Sequence, residues 1–156
     1  MRGCLGMVLL CLALMPAAVQ AVYNEPGEAA PVGDADFDAG FRAIKAQQWD
    51  EAARHLALAA RRHPRSADVF NLLGFAHRKL GDLPASFRHY HRALDIDPAH
   101  RGAHEYIGEA WLMQGNVARA RQHLRELEVL CKADCAEYRE LEQAIRAFEA
   151  RTAAPR

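Results

Sequence analysis

Residues 68–100, DVFNLLGFAHRKLGDLPASFRHYHRALDIDPAH, alternate apolar and polar side chains with a helical period. Phe70, Leu73 and Leu80 fall on one face, Gly81-Asp82 interrupts it, and Leu83, Phe87, Tyr90 and Leu94 resume it until Pro98. Apolar residues three and four apart predict an amphipathic helix, and glycine or proline between such runs predicts where it stops. The stretch therefore reads as two helices folded into a hairpin.

The same pattern returns every 34 residues. Gly40, Gly74 and Gly108 keep that interval, as do Ala52, Ser86 and Ala120; Leu56, Tyr90 and Leu124; Ala59, Ala93 and Leu127; and Pro64 with Pro98. Several coincidences in one phase define a repeat. A glycine inside a helix costs about 1 kcal/mol against alanine. Its recurrence predicts a bulky partner side chain pressed onto that backbone, and the small residues at 86 and 93 predict a close helix approach.

These residues resemble the tetratricopeptide repeat family. Its pattern of an aromatic, Leu-Gly, a second aromatic, a small residue, a third aromatic and a closing proline matches Phe70, Leu73-Gly74, His77, Ser86, Tyr90 and Pro98. A third copy matches at Ile107-Gly108, Trp111, Ala120 and Leu124, and a first at Gly40, Ala52, Leu56, Ala59 and Pro64, with Trp49 opening its second helix. Ala43, His77 and His104 depart from the aromatic positions, and Lys132 stands where a third proline is expected. The resemblance implies an all-α, right-handed α-solenoid of three helix hairpins at about 33–66, 67–100 and 101–133. An exposed last hairpin needs a cap. Asp134 and Glu137 resemble a capping box, and Tyr138, Leu141, Ile145 and Phe148 mark the apolar face of a capping helix over 134–151, leaving a tail at 152–156.

The beginning of the chain follows a different logic. Met1-Arg2, the apolar run LGMVLLCLALMPAAV and the small residues before Val22 read as a secretory signal peptide over 1–21, cut after Ala21. The run is short and interrupted by Pro16 for a membrane anchor, and Leu9-Leu10 before Cys11 lacks the small residue of a lipobox. Residues 22–35 form an acidic lead rich in Gly, Pro and Ala with little to bury, which predicts a flexible linker. The whole chain has 20 basic and 20 acidic residues. Cleavage removes Arg2, so no global field draws the protein to nucleic acid or anionic lipid. Export, and arginine in excess of lysine, suggest a bacterial periplasm, with no membrane insertion after cleavage.

The resemblance implies a non-catalytic scaffold that holds a peptide or helix of another protein in a groove made by the first helix of each hairpin. Projected onto this chain, that groove is Phe37, Phe41 and Ile44, then Asn71, Phe75, Arg78 and Lys79, then Glu105, Glu109, Leu112 and Met113. An aromatic floor with opposite charges further along suits an amphipathic segment; the alternative is that Phe37, Phe41 and Phe75 are core between the repeats. Relatives that grip a C-terminal carboxylate place lysine and asparagine where this chain has Phe37 and Phe41, and basic groups where it has Gly102 and Tyr106, so that clamp is absent. The expected role is envelope or exported-protein assembly.

Cys131 and Cys135 admit three readings: a metal site, a redox pair or a staple. β-Carbons four apart in an unbroken helix are about 5–6 Å apart, too far for a relaxed disulfide, but Lys132-Ala133-Asp134 falls at the predicted turn. A metal needs further ligands, and a redox pair more often shows CxxC beside a βαβ unit. The staple is favoured, contributing about 2 kcal/mol at most on the entropic model. The competing function is a thiol- or metal-handling accessory factor that uses this pair together with histidines. His55, His89 and His123 also keep the 34-residue interval, but successive repeats stand roughly 10 Å apart, so this ladder cannot share one ion. They read as flat side chains replacing partly buried aromatics, with one edge in water. His100 and His104 stand four apart and could meet on one helix turn, but Pro98 places His100 at or before the helix start. No metal or cofactor is expected. There is no glycine-rich phosphate loop, HExxH or serine elbow, and Glu105 with Glu109 reads as a solvated face, so no enzyme is expected.

Overall fold

The computed structural model describes residues 30, 31 and 33–153. The signal-like segment, its cut site and nearly all of the acidic lead lie outside the described residues. Among them are seven α-helices and no strand: α1 (Ala35–Lys45), α2 (Trp49–Arg62), α3 (Ala67–Lys79), α4 (Leu83–Ile96), α5 (Arg101–Met113), α6 (Val117–Cys131) and α7 (Ala136–Ala153). Helices α1–α2, α3–α4 and α5–α6 pair as hairpins. Each second helix packs on the next hairpin's first, and the first helices α1, α3 and α5 touch in turn.

Polar side chains at the helix starts satisfy amides that have no partner inside the helix. Asp34 accepts from the amides of Asp36 and Phe37, Asp82 from Ala85, Asn116 from Arg119, and His100, through Nδ1, from Ala103. Asp34 also binds Arg62 and His63 at the end of α2. The Arg62 guanidinium and the Phe37 amide hold its carboxyl far below the usual carboxylate range. Between the helices of the three hairpins, Gln47, Gly81 and Gly115 occupy equivalent places, all with positive φ (57°, 81° and 76°). Glycine takes that backbone without strain; Gln47 does not.

The recurrent glycines do what their spacing predicted, with one exchange of partner. A β-carbon at Gly40 would lie 2.6 Å from Leu56, and one at Gly74 2.7 Å from the Tyr90 ring. Gly108 is covered by Leu141 of α7, 2.6 Å from a β-carbon built there, and not by Leu124 of its own hairpin. The capping helix thus takes the place that a second helix fills in the first two repeats. With Leu112, Ala120, Leu127 and Ile145, Leu141 forms a core separate from the larger one around Phe37, Leu56, Tyr90 and Ile107.

The start of α7 differs from the expected capping box. The helix begins at Ala136, the Cys135 carbonyl accepts from the Arg139 amide, and the exposed Asp134 carboxylate faces Arg139 at 3.5 Å. Glu137 is buried. Lys132 and Ala133, standing where the first two repeats have Pro64-Arg65 and Pro98-Ala99, both adopt left-handed backbone, φ 52° and 62°. This double turn reverses the chain and brings Cys131 and Cys135 together with their Cα atoms 5.9 Å apart, inside the span of a disulfide.

Candidate functional site

The side chains projected onto the inner face divide into a buried layer and an accessible one. Phe37, Ile44, Asn71, Glu105, Arg78 and Leu112 are buried. Phe37 and Ile44 belong to the main core with Leu56 and Tyr90, so they support the face and do not line it. Asn71 lies beneath Gly102, its Nδ2 3.2 Å from where a β-carbon would be. Phe41, Phe75 and Glu109 are half-buried, Lys79 is exposed, and Met113 is 54% exposed. The accessible layer is therefore Phe41, Phe75, Lys79, Glu109 and Met113.

Phe75 is the aromatic centre of this layer. Its ring lies edge-on to Trp49 at 5.9 Å between centroids and tilted against Tyr106 at 5.0 Å. The opposite charges expected further along are largely consumed within the protein. Arg78 pairs with Glu109 at 2.6 Å and lies over Phe75 and Tyr106. Glu105 is not the solvated carboxylate that its spacing from Glu109 suggested. Burial first, and then the neighbouring acids Glu140, Glu109 and Glu137, push its carboxyl up to about 10, so it is protonated and neutral at pH 7.

Where α3, α5 and α7 meet, these side chains border an open depression of about 280 Å³. Arg78, Glu109, Leu112 and Met113 line it from the first helices, as the projection placed them. Ala144, Ala147, Phe148 and Arg151 line the opposite wall. Those four were missed, because α7 lies outside the 34-residue phase. The available signal was the spacing of Ala144, Phe148 and Arg151, which puts a small residue, an aromatic and a cation along one side of α7.

The histidine ladder is intramolecular. His55 pairs with Asp36 at 2.7 Å, His89 stacks on Phe70 and His77, and His123 meets His104 with 3.1 Å between their Nδ1 atoms. Each second-helix histidine therefore packs on the first helix of its own hairpin, and each stays partly exposed, as expected of a flat side chain replacing a partly buried aromatic. His100 and His104 do not meet as a pair: His100 bonds Asp68 and His104 bonds the Pro98 carbonyl. Burial above all lowers the titration of His89 and His123 to about 4, so both are neutral at pH 7. Among the described residues no group of three or more His, Cys, Asp or Glu side chains is arranged to hold a metal ion.

Comparison with known proteins agrees with this architecture. The family model described as tetratricopeptide repeat matches residues 37–100 and 76–134. The Hsp70-Hsp90 organizing protein of Triticum aestivum is 28% identical over 79 residues, 51% of this chain and 13% of that protein. The chain thus spans only a small part of that relative's length. The TPR domain of Arabidopsis OM64 superposes with a TM-score of 0.67 at 18% identity, covering 83% of this chain and 98% of that one. The type III secretion chaperone SycD of Yersinia enterocolitica, solved with a peptide of the translocator YopD, gives 0.64 at 16% identity, covering 75% and 92%. PcrH, solved with the chaperone-binding region of PopD, gives 0.64 at 21% identity, covering 75% and 90%.

Proposed function

Since the chain belongs to the tetratricopeptide repeat family, we propose that it is a periplasmic interaction scaffold. Its groove, closed on one side by α7, holds an apolar peptide or helix of another exported protein during assembly of the cell envelope. The carrying observation is the depression between Leu112, Met113, Ala147 and Phe148. Its volume suits one large apolar side chain, whose burial contributes about 2 kcal/mol, and Phe75 and Phe41 continue the apolar track along the first helices. Two solved neighbours, SycD with a YopD peptide and PcrH with the chaperone-binding region of PopD, carry a segment of a partner protein on the same fold. The periplasmic part of the reading rests on the signal-like residues 1–21 and on a Cys131–Cys135 disulfide, which an oxidising compartment would preserve.

One preparation tests both parts. The full chain, carrying a C-terminal tag and isolated from its native envelope, is expected to begin at Val22, to resist thiol alkylation until reduced, and to bring a partner protein with it. Met113→Glu places a charge at an exposed position, and is expected to lower partner recovery about tenfold at unchanged thermal stability. An intact Met1 with two free thiols would overturn the compartment. Undiminished recovery with Met113→Glu would overturn the groove.

The thiol- or metal-handling alternative gains no comparable support. Cys135 is buried in the turn, and His55, His89 and His123 are engaged within their own hairpins.

A further inference from the structure

The charges around the depression point to the chemistry of its occupant, an inference that rests on the scaffold reading above. Three cations stand along the C-terminal ends of the inner helices, each over an aromatic ring: Lys45 over Phe41 at 4.4 Å, Lys79 over Phe75 at 5.2 Å, and Arg151 over Phe148 at 5.9 Å. No carboxylate of the described residues pairs with any of them. The acids beside the depression are already committed: Glu109 neutralises Arg78, and Glu149 on α7 pairs with Arg121. Glu105 is buried, and its Oε2 atom has no hydrogen-bond partner. Glu137 and Glu140 surround Glu105 at the opposite end of α7; eleven residues of helix separate Glu140 from Arg151, about 17 Å. Partial burial of its stem, followed by the adjacent Arg78, lowers the Lys79 ammonium below the ordinary lysine range even against the pull of Glu109, a cost that an incoming anion would offset.

Lysine or arginine in the last turn complements the helix dipole. That explains why Lys45 and Lys79 stand there, but not why three cations line one apolar face without a counter-charge. A face that offers paired aromatic and cationic groups is complementary to a segment that offers apolar and carboxylate groups at the same spacing. We infer that the occupant is an acidic amphipathic segment of a partner protein. One large apolar side chain enters between Met113 and Phe148, and flanking aspartates or glutamates meet Arg151 and Lys79. A basic amphipathic segment would meet like charge along the same edge.

The test is selection of a display library of random linear peptides on the immobilised full chain, with the Met113→Glu chain used to subtract peptides bound elsewhere. The enriched peptides are expected to gain Asp and Glu, to lose Lys and Arg, and to keep a bulky apolar residue beside the acids. The best of them is expected to bind about tenfold more weakly to Arg151→Glu or Lys79→Glu, and its affinity for the unaltered chain to fall with added salt. Enriched apolar peptides with no charge bias, or with a basic one, would overturn the acidic assignment and leave the scaffold standing. No enrichment over the Met113→Glu chain would overturn both.

Discussion

Replacing Tyr90 by alanine is expected to lower the unfolding free energy by about 3–5 kcal/mol, the usual range for emptying a large buried aromatic site. Tyr90 is fully buried at the centre of the main core. Its ring lies against the backbone of Gly74, so close that a β-carbon there would be 2.7 Å from two ring atoms, and it faces Tyr106 of the next hairpin at 6.3 Å between centroids. One side chain therefore joins α3, α4 and α5. A helix stack contacts only its neighbours and has no distant core in reserve, so the cavity would weaken the middle of the protein, where both ends depend on it. Against a total stability of about 5–15 kcal/mol for a typical domain, such a loss is large. The measurement is chemical denaturation followed by far-ultraviolet circular dichroism. A loss below about 1 kcal/mol would mean that Tyr90 does not occupy this site.

The second large effect has the opposite sign. Glu105→Gln is expected to stabilise the fold by about 3 kcal/mol at pH 7. The carboxyl titrates near 4.5 in the unfolded chain and near 10 in the folded one, because it is buried and beset by Glu140, Glu109 and Glu137. Above pH 4.5 the unfolded chain releases this proton while the folded chain retains it, so stability is fully present below 4.5 and is lost as pH rises toward 10. Glutamine keeps a donor for the neighbouring carboxylates and has nothing to ionise. The expected result is a higher melting temperature at pH 7 than at pH 4.5 relative to the unaltered chain, a gap that widens at pH 8 and closes in acid. Equal curves across that range would show that Glu105 is ionised and solvated. The group sits where α5 meets α7, so its titration acts on the helix that walls the groove.

These residues also show where sequence reading succeeds and stops. The repeat was legible because close helix contact demands small side chains at fixed places, and Gly40 and Gly74 meet Leu56 and Tyr90 at the spacing the pattern implied. Gly108 broke the rule because its cover comes from α7, outside the periodic part of the chain. The groove was half legible. Helical projection found Arg78, Glu109, Leu112 and Met113, yet it could not separate a residue on the inner face from one beneath it, which is why Phe37 stood open between groove and core and Glu105 was placed in solvent. Depth depends on the neighbouring helix, and the far wall, Phe148 and Arg151, depended on how that helix docked. The histidines at 34-residue spacing were visible, but their partners Asp36, Phe70 and His104 became apparent only when the hairpins closed.

The central claim is that the inner face, and not the outer surface, holds a partner protein. It is tested most directly by placing a photo-crosslinking amino acid at Met113, in the groove, and separately at Val129, 79% exposed on α6, in cells that make the full chain. The account predicts a discrete crosslinked adduct from position 113 that is lost when Phe75 is also replaced by alanine, and none from position 129. Adducts of equal yield from both positions, or from position 129 alone, would contradict it.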